Sequence, residues 1–453
     1  MKAYMLFTYF IFSFSGFSYA GFEEGMLAYN DKSFDKAYIE WLKIADFDPR
    51  AQFHLGYMYE NGIGAPRSEL LAESYYKKSA DNGNVDAQNS LAELYLESDD
   101  IPKNYSAAFD LLQRAAKQGS AYAHFKIGTL YQRGIFVEKN IKKAIEFYEI
   151  ASDKGDATAQ YNLAVIYRDG EGISKNPAKA FAFASSSAKS NYAGAQYLLG
   201  QFYSRGIGTK KDPKKALEQY MLAADQGLAE AQYNVAQSYV SEHGVVQDFS
   251  VAARYLEKAA LQNHGLSQYN LGVLYERGLG VKQNFSEAVA LYQLASANEI
   301  ADAQYNLAVM YGKAQGVPRN VAKSVEYFKK ASLNGSSDAQ FFLGFMYANG
   351  VEFEKNNAMA IHWFAKSARQ GNEKSIAQLP KYLSHFNKVK IIKANAPVYD
   401  EANNNSKVLR KSKINEIGYL LVDEKDWKEI YFPIDHVTGF IESRSDIFSK
   451  NSK

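Results

Sequence analysis

The side chains able to do covalent chemistry are scattered along this chain. Its seven histidines (His54, His124, His243, His264, His362, His385 and His436) stand far apart. None forms a His-x-x-x-His pair able to hold a metal from one helical face. Cysteine is absent, which excludes disulfides, thiolate metal sites, a cysteine nucleophile and a lipid-modified N-terminal cysteine. There is no Gly-x-Ser-x-Gly elbow and no Walker-type phosphate loop. These features predict no catalytic set, no metal and no cofactor, and so a binding protein rather than an enzyme. The formal charge of +2 is nearly balanced and gives no support to nucleic acid as a partner. Tyrosine, in contrast, is abundant at 34 copies against 3 tryptophans, and its placement is regular. Tyr161, Tyr197, Tyr233, Tyr269 and Tyr305 follow one another at steps of 36 residues, with Asn162, Asn234, Asn270 and Asn306 one residue later. Asparagine can hydrogen-bond a partner's backbone, and tyrosine offers stiff amphipathic area. That pairing predicts recognition of an extended protein partner.

The spacing identifies the elements that position these residues. Ala51-Gln52 recurs as Ala87-Gln88, Ala123-His124, Ala159-Gln160, Ala195-Gln196, Ala231-Gln232, Ser267-Gln268, Ala303-Gln304 and Ala339-Gln340, always 36 residues on. Eight residues after each pair begins stands a tyrosine, from Tyr59 to Tyr347. Ala51, Leu55 and Tyr59 lie at i, i+4 and i+8, one face of a helix. Beside the leucine column runs a small one: Gly56, Ala92, Gly128, Ala164, Gly200, Ala236, Gly272, Ala308 and Gly344. This helix, A, ends at glycine in most copies, as at Gly62, Gly170, Gly206 and Gly278. Ser68, Asn104, Asn140, Asn176, Asp212, Asp248, Asn284, Asn320 and Asn356 then supply N-caps for a second helix, B. One hairpin cannot bury its own apolar face, so the nine copies predict a mainly α fold, a superhelical solenoid of stacked hairpins. On helix A the tyrosine and asparagine columns sit about 150° and 110° from the buried face, at roughly 100° per residue. They are therefore expected to line the concave side, the alternative being that both columns serve packing between repeats.

Residues 49–371 hold the nine repeats. Residues 21–48 read as an irregular N-terminal capping hairpin, and 372–388 as a C-terminal capping helix and linker, with regularity ending at Pro380. Repeat two has Ser98-Asp99-Asp100 in place of the glycine turn. Repeat four has Phe183-Ala184-Ser185-Ser186-Ser187 where helix B normally carries a large aromatic, so looser packing is expected there. From Val389 to about residue 448, short alternating runs separated by Asn, Asp, Ser and Pro predict a small all-β barrel. Over residues 389–453 the charges nearly cancel, eleven basic against ten acidic.

The N-terminus reads as a secretory signal over residues 1–20. Lys2 is a short positive region, Ala3 to Phe14 is apolar, and Ser18-Tyr19-Ala20 presents small residues for cleavage after Ala20. The apolar run is shorter than the roughly 18–20 residues of a membrane span. A periplasmic or secreted protein without an integral span after cleavage is expected.

Ala159-Gln160-Tyr161-Asn162-Leu163-Ala164, the turn built on Tyr59, Gly62 and Gly64, and the capped Lys179-Ala180 of helix B resemble the Sel-1-like repeat, a relative of the tetratricopeptide repeat. The resemblance covers residues 22–388. The tail resembles the bacterial Src-homology-3-like domain through Ala396-Pro397-Val398-Tyr399, Asp426-Trp427-Lys428 and Gly439-Phe440-Ile441, with Phe440 where tryptophan is usual. The resemblance implies a right-handed α-α superhelix followed by a Src-homology-3-like barrel. It further implies an exported adaptor of the bacterial envelope, with a protein partner on the concave face and peptidoglycan as a ligand of the tail. Tyr399, Trp427 and Phe440 become the tail's candidate contact residues. The alternatives it implies are a regulator of a wall-remodelling enzyme, a host-interaction factor, and a penicillin-interacting hydrolase. The last belongs to a cysteine-rich branch, and this chain has no cysteine.

Overall fold

The computed structural model describes residues 20–402, 405–413, 416–443 and 447–450. The expected signal segment, residues 1–19, lies outside them. The chain divides into two units, residues 1–223 and 224–453.

Every repeat is a pair of helices of about 13 residues, as Pro49–Asn61 and Glu69–Asp81 in the first. Helix A closes at a left-handed residue such as Gly62, Gly134 or Gly278. In repeat eight Ala314 adopts this conformation instead, at φ 57°. All nine N-cap side chains predicted for helix B accept a backbone N–H from its first turn.

The small column alternates strictly, and helix B explains why. In repeats one, three, five, seven and nine a glycine faces an aromatic ring. A Cβ at Gly56, Gly128, Gly200, Gly272 or Gly344 would lie 2.5–2.8 Å from the ring of Tyr76, Tyr148, Tyr220, Tyr292 or Phe364. In the even repeats the column is alanine. It shares a core with smaller Leu112, Ala184 and Leu256, and with Phe328 in repeat eight. In the odd repeats the ring fills the volume a methyl would need, whereas repeat eight accommodates Phe328 with Ala308.

A glutamine ladder joins the repeats. The Nε2 of Gln88 donates to the Ala80 carbonyl at 3.2 Å, the end of the preceding helix B. The same bond recurs from Gln52, Gln160, Gln232, Gln268, Gln304 and Gln340. In several repeats a Gln or Asn at the end of the same repeat's helix B donates back to the glutamine Oε1. Gln118 does so to Gln88, Asn334 to Gln304 and Gln370 to Gln340, at 2.9–3.0 Å. Gln52 and Gln160 lack that second bond and keep buried, unpaired Oε1 atoms. The alternation and the ladder arise from pairing between helices, so neither was read from the sequence.

In the N-terminal unit, the helix over 20–30 and Phe34–Ile44 form the expected cap around fully buried Trp41. Repeat two holds its turn without glycine. Ser98 is buried, its Oγ accepts from Asp100 and Ile101 N–H, and it donates to Glu69. Repeat four is not loose. Ala184 is fully buried, and Phe183, one residue earlier, stacks on Tyr167 with centroids 5.9 Å apart.

In the C-terminal unit a helix runs over Glu373–Leu383, within the expected cap, and Pro380 sits inside it. The seven strands that follow are β1 (Lys388–Ile391), β2 (Pro397–Tyr399), β3 (Val408–Lys411), β4 (Ile417–Asp423), β5 (Trp427–Phe432), β6 (Val437–Glu442) and β7 (Phe448–Lys450). They form one antiparallel sheet in the order β3-β2-β6-β5-β4-β1-β7. The expected barrel takes the form of an open sheet: among the described residues no ladder joins β3 to β7. One face buries Val389, Ile391, Val398, Ile430, Phe432 and Ile441. The other face is not free. Leu421 and Tyr431 share a core with Leu379, Tyr382 and Leu383 of the last helix, and with Phe364 of repeat nine. His362 Nδ1 lies 3.0 Å from Glu429 Oε1 and 3.3 Å from Thr438 Oγ1. Residues 384–387 therefore connect two elements that pack on each other.

Candidate functional site

The helix-A columns were the predicted contact residues, and all nine are half-buried. In the N-terminal unit Tyr197 packs on Tyr220 of its own helix B at 5.8 Å. Repeat four has Ala184 at the Tyr220 position, and Tyr161 turns to Tyr192 at 5.3 Å. In the C-terminal unit Tyr269 meets Tyr292 at 5.9 Å and Tyr305 meets Phe328 at 5.8 Å. Tyr233 lies 5.2 Å from the His264 ring. The tyrosine column therefore braces each hairpin with one face of its rings.

The asparagines also have partners within the array. Asn162 and Asn306 hydrogen-bond to the hydroxyls of Tyr148 and Tyr292, each in the preceding repeat. Asn270 Nδ2 reaches the Tyr233 hydroxyl at 3.5 Å, and Asn234 Nδ2 donates to the Glu230 carbonyl at 2.9 Å. Tyr292 also donates to Glu276 at 2.6 Å. Burial and the neighbouring Glu276 carboxylate push its hydroxyl far above the ordinary tyrosine range. Because a buried hydroxyl needs partners, Asn162 and Asn306 answer the tyrosines of the preceding helix B.

The tail residues do converge. Tyr399 and Trp427 meet edge to face at 5.5 Å. Phe440 is the register partner of Tyr399 across the β2–β6 pair. All three are half-buried and share one sheet face, because directly paired residues point the same way. A cavity of about 230 Å³ beside them is lined by Asn395, Pro397, Tyr399, Ile441 and Glu442. A second, of about 640 Å³, lies between the last helix and the sheet, with Pro380, Phe386, Tyr419, Tyr431, Pro433 and His436 on its walls. Among the described residues no group of three or more His, Asp or Glu is placed to hold a metal ion. No described helix is long and apolar enough to cross a membrane.

A stack of helical hairpins whose recurring polar chemistry serves contact between repeats defines a helical-repeat scaffold. The Sel1 repeat model matches residues 49–84, 85–120, 121–156, 157–192, 193–228, 229–264, 265–299, 301–336 and 337–372, and the chain belongs to the Sel1 repeat family. Proteins of this family act as protein–protein interaction scaffolds. The crystal structure of c5321, a protective antigen of uropathogenic Escherichia coli strains, is similar. It is 28% identical with a TM-score of 0.69, over 82% of this chain and 81% of that one. A Sel1 repeat protein from Oxalobacter formigenes is 29% identical with a TM-score of 0.53, over 68% of this chain and 90% of that one. The DAP3-binding cell death enhancer 1 of Rattus norvegicus is 42% identical over 55 residues. That match spans 12% of this chain and 11% of the rat protein.

Proposed function

We propose that this protein is an exported scaffold of the bacterial envelope whose repeat array holds a protein partner while its tail contacts peptidoglycan. The observation that carries the binding half is the nine-copy array, whose half-buried Tyr233, Tyr269 and Tyr305 keep part of each ring open to a partner. Export is supported by Lys2, the apolar run from Ala3 to Phe14 and Ser18-Tyr19-Ala20. It is also supported by the likeness to an Escherichia coli protective antigen. That likeness favours a second reading, a factor exposed to a host. The tail half is supported by the grouping of Tyr399, Trp427 and Phe440 on one sheet face, since aromatic faces suit sugar and peptide contacts.

Fractionation and N-terminal sequencing test export: a mature chain beginning at Gly21 in the periplasm or medium is expected, and a full-length cytoplasmic chain contradicts it. In-cell crosslinking with mass spectrometry identifies the partner. The tail is tested in the whole chain, because its Leu421 and Tyr431 are buried against the repeats. Co-sedimentation of the whole chain with cell-wall sacculi should fall when Tyr399 and Trp427 are both changed to alanine. Equal sedimentation of the folded double variant removes peptidoglycan from the reading.

A further inference from the structure

A groove in the N-terminal unit has Asn162 on its wall, beside side chains outside the recurring columns. It encloses about 540 Å³ between helix A of repeat three (Ala121–Arg133) and helix A of repeat four (Ala157–Asp169). One wall carries a departure in the turn of repeat four. Glu171 occupies the place that Ile63, Ile135, Ile207, Leu279 and Val351 hold in five other repeats. The carboxylate crosses to repeat three, where it accepts from Lys139 Nζ at 3.0 Å and Gln132 Nε2 at 3.1 Å. Gln132 Oε1 in turn accepts from the Tyr148 hydroxyl at 2.8 Å, which Asn162 also reaches. The hydrogen bonds from Lys139 and Gln132 hold Glu171 below the usual carboxylate range, so it stays ionised and occupied.

This network leaves one cation over. Arg133 lines the groove and is exposed. Among the described residues it has neither a hydrogen-bond nor an ion-pair partner, while the second lining cation, Lys139, is neutralised by Glu171. Thr158 adds a polar wall and the half-buried Phe125 ring an apolar one. A groove that offers a guanidinium, an aromatic ring and a short polar side chain on its walls suits a planar carboxylate carried on a peptide.

We propose that the groove between repeats three and four binds a carboxylate presented by an extended peptide, anchored by Arg133 and flanked by Phe125 and Thr158. The proposal rests on the scaffold reading and names the chemistry of one contact within it. The partner is an acidic peptide segment. Its carboxylate is either an Asp or Glu side chain or a chain terminus.

The test uses the full mature chain on an array of immobilised dodecapeptides. Each acidic peptide is paired with its Asn or Gln counterpart, and each counterpart is made with a free and an amidated C-terminus. Wild type should favour the acidic member of a pair. Arg133→Gln should lose that preference by about tenfold or more, the usual worth of a charge-assisted bond. Arg133→Lys should retain part of it, and thermal unfolding should be unchanged in both. A preference for free over amidated termini identifies the terminal carboxylate as the source, and a preference within the internal pairs identifies the side chain. Equal binding of paired peptides, a preference that survives Arg133→Gln, or no bound peptide at all overturns the proposal. Crosslinking separates this failure from that of the scaffold reading, since a partner captured equally by wild type and Arg133→Gln leaves the scaffold standing and removes this site.

Discussion

At the scale of the residue, the array is governed by volume. Gly128 and Tyr148 share a space that Ala92 and Leu112 divide differently in the neighbouring repeat. Gly128→Ala would set a methyl 2.7 Å from the Tyr148 ring, and should destabilise the protein by about 1–3 kcal/mol, the usual penalty of overpacking. Adding Tyr148→Leu should recover part of that loss, measured by denaturant unfolding as a double-mutant cycle. Additive losses would show that the pair is not coupled. The N-terminal cap carries a pH-dependent case. His54 stacks on Trp41 at 4.6 Å, and burial lowers its pKa below the ordinary 6.5, outweighing the charges of Asp86 and Asp48. The unfolded chain then binds the proton more readily, so cap stability is present above pH 6.5 and lost as pH falls below it. Hydrogen-exchange protection factors in residues 20–60, corrected for the intrinsic rate at each pH, should fall on acidification from pH 7 to 5, and His54→Phe should remove part of that response.

At the scale of the element, the hairpins are tied by the glutamine ladder, and the ladder is uneven. Gln340 donates to Ser332 and accepts from Gln370, whereas the Gln160 Oε1 is unpaired. Gln340→Leu should therefore cost about 1–3 kcal/mol, because it strands a buried carbonyl and an amide. Gln160→Leu should cost less, since it also removes an orphaned acceptor. Local hydrogen exchange is the suitable measurement, as long repeat arrays need not unfold in two states. Equal losses at both positions would contradict this reading of the ladder. The period, the caps and the glycine closures were legible because each is a property of a single helix. The ladder was not, because the Gln88 bond to Ala80 and the Gln118 bond to Gln88 link positions 8 and 30 residues apart. The asparagine column was legible as a column but not as to use: Asn162 and Asn306 follow tyrosines of the preceding helix B, a dependence visible only once repeats are stacked.

At the scale of the whole molecule, the sheet of the C-terminal unit completes the repeat stack next to it. The last helix A-like element, Glu373–Leu383, has no helix B of its own. Leu421 and Tyr431 of the sheet pack where one would lie. Tyr431→Ala should cost about 3–5 kcal/mol, the range for a buried aromatic cut to alanine. Its effect should reach beyond the sheet. Exchange protection should fall in residues 357–383 and stay unchanged in residues 49–200. Loss confined to residues 388–450 would show the sheet to be an independent module.

The sequence by itself determined the repeat, its length, its helix boundaries and the absence of cysteine chemistry. Helical period, capping and glycine turns are short-range and leave their marks at fixed spacings. It also singled out Tyr399, Trp427 and Phe440, which the structure groups on one sheet face. Tertiary structure alone decided which recurring side chains are used within the array, and that the sheet is open and docked on repeat nine. It alone placed Arg133, Glu171 and Lys139 around one groove. Each of these depends on which surfaces meet, and contacts between residues 30 to 70 positions apart leave no period in the chain.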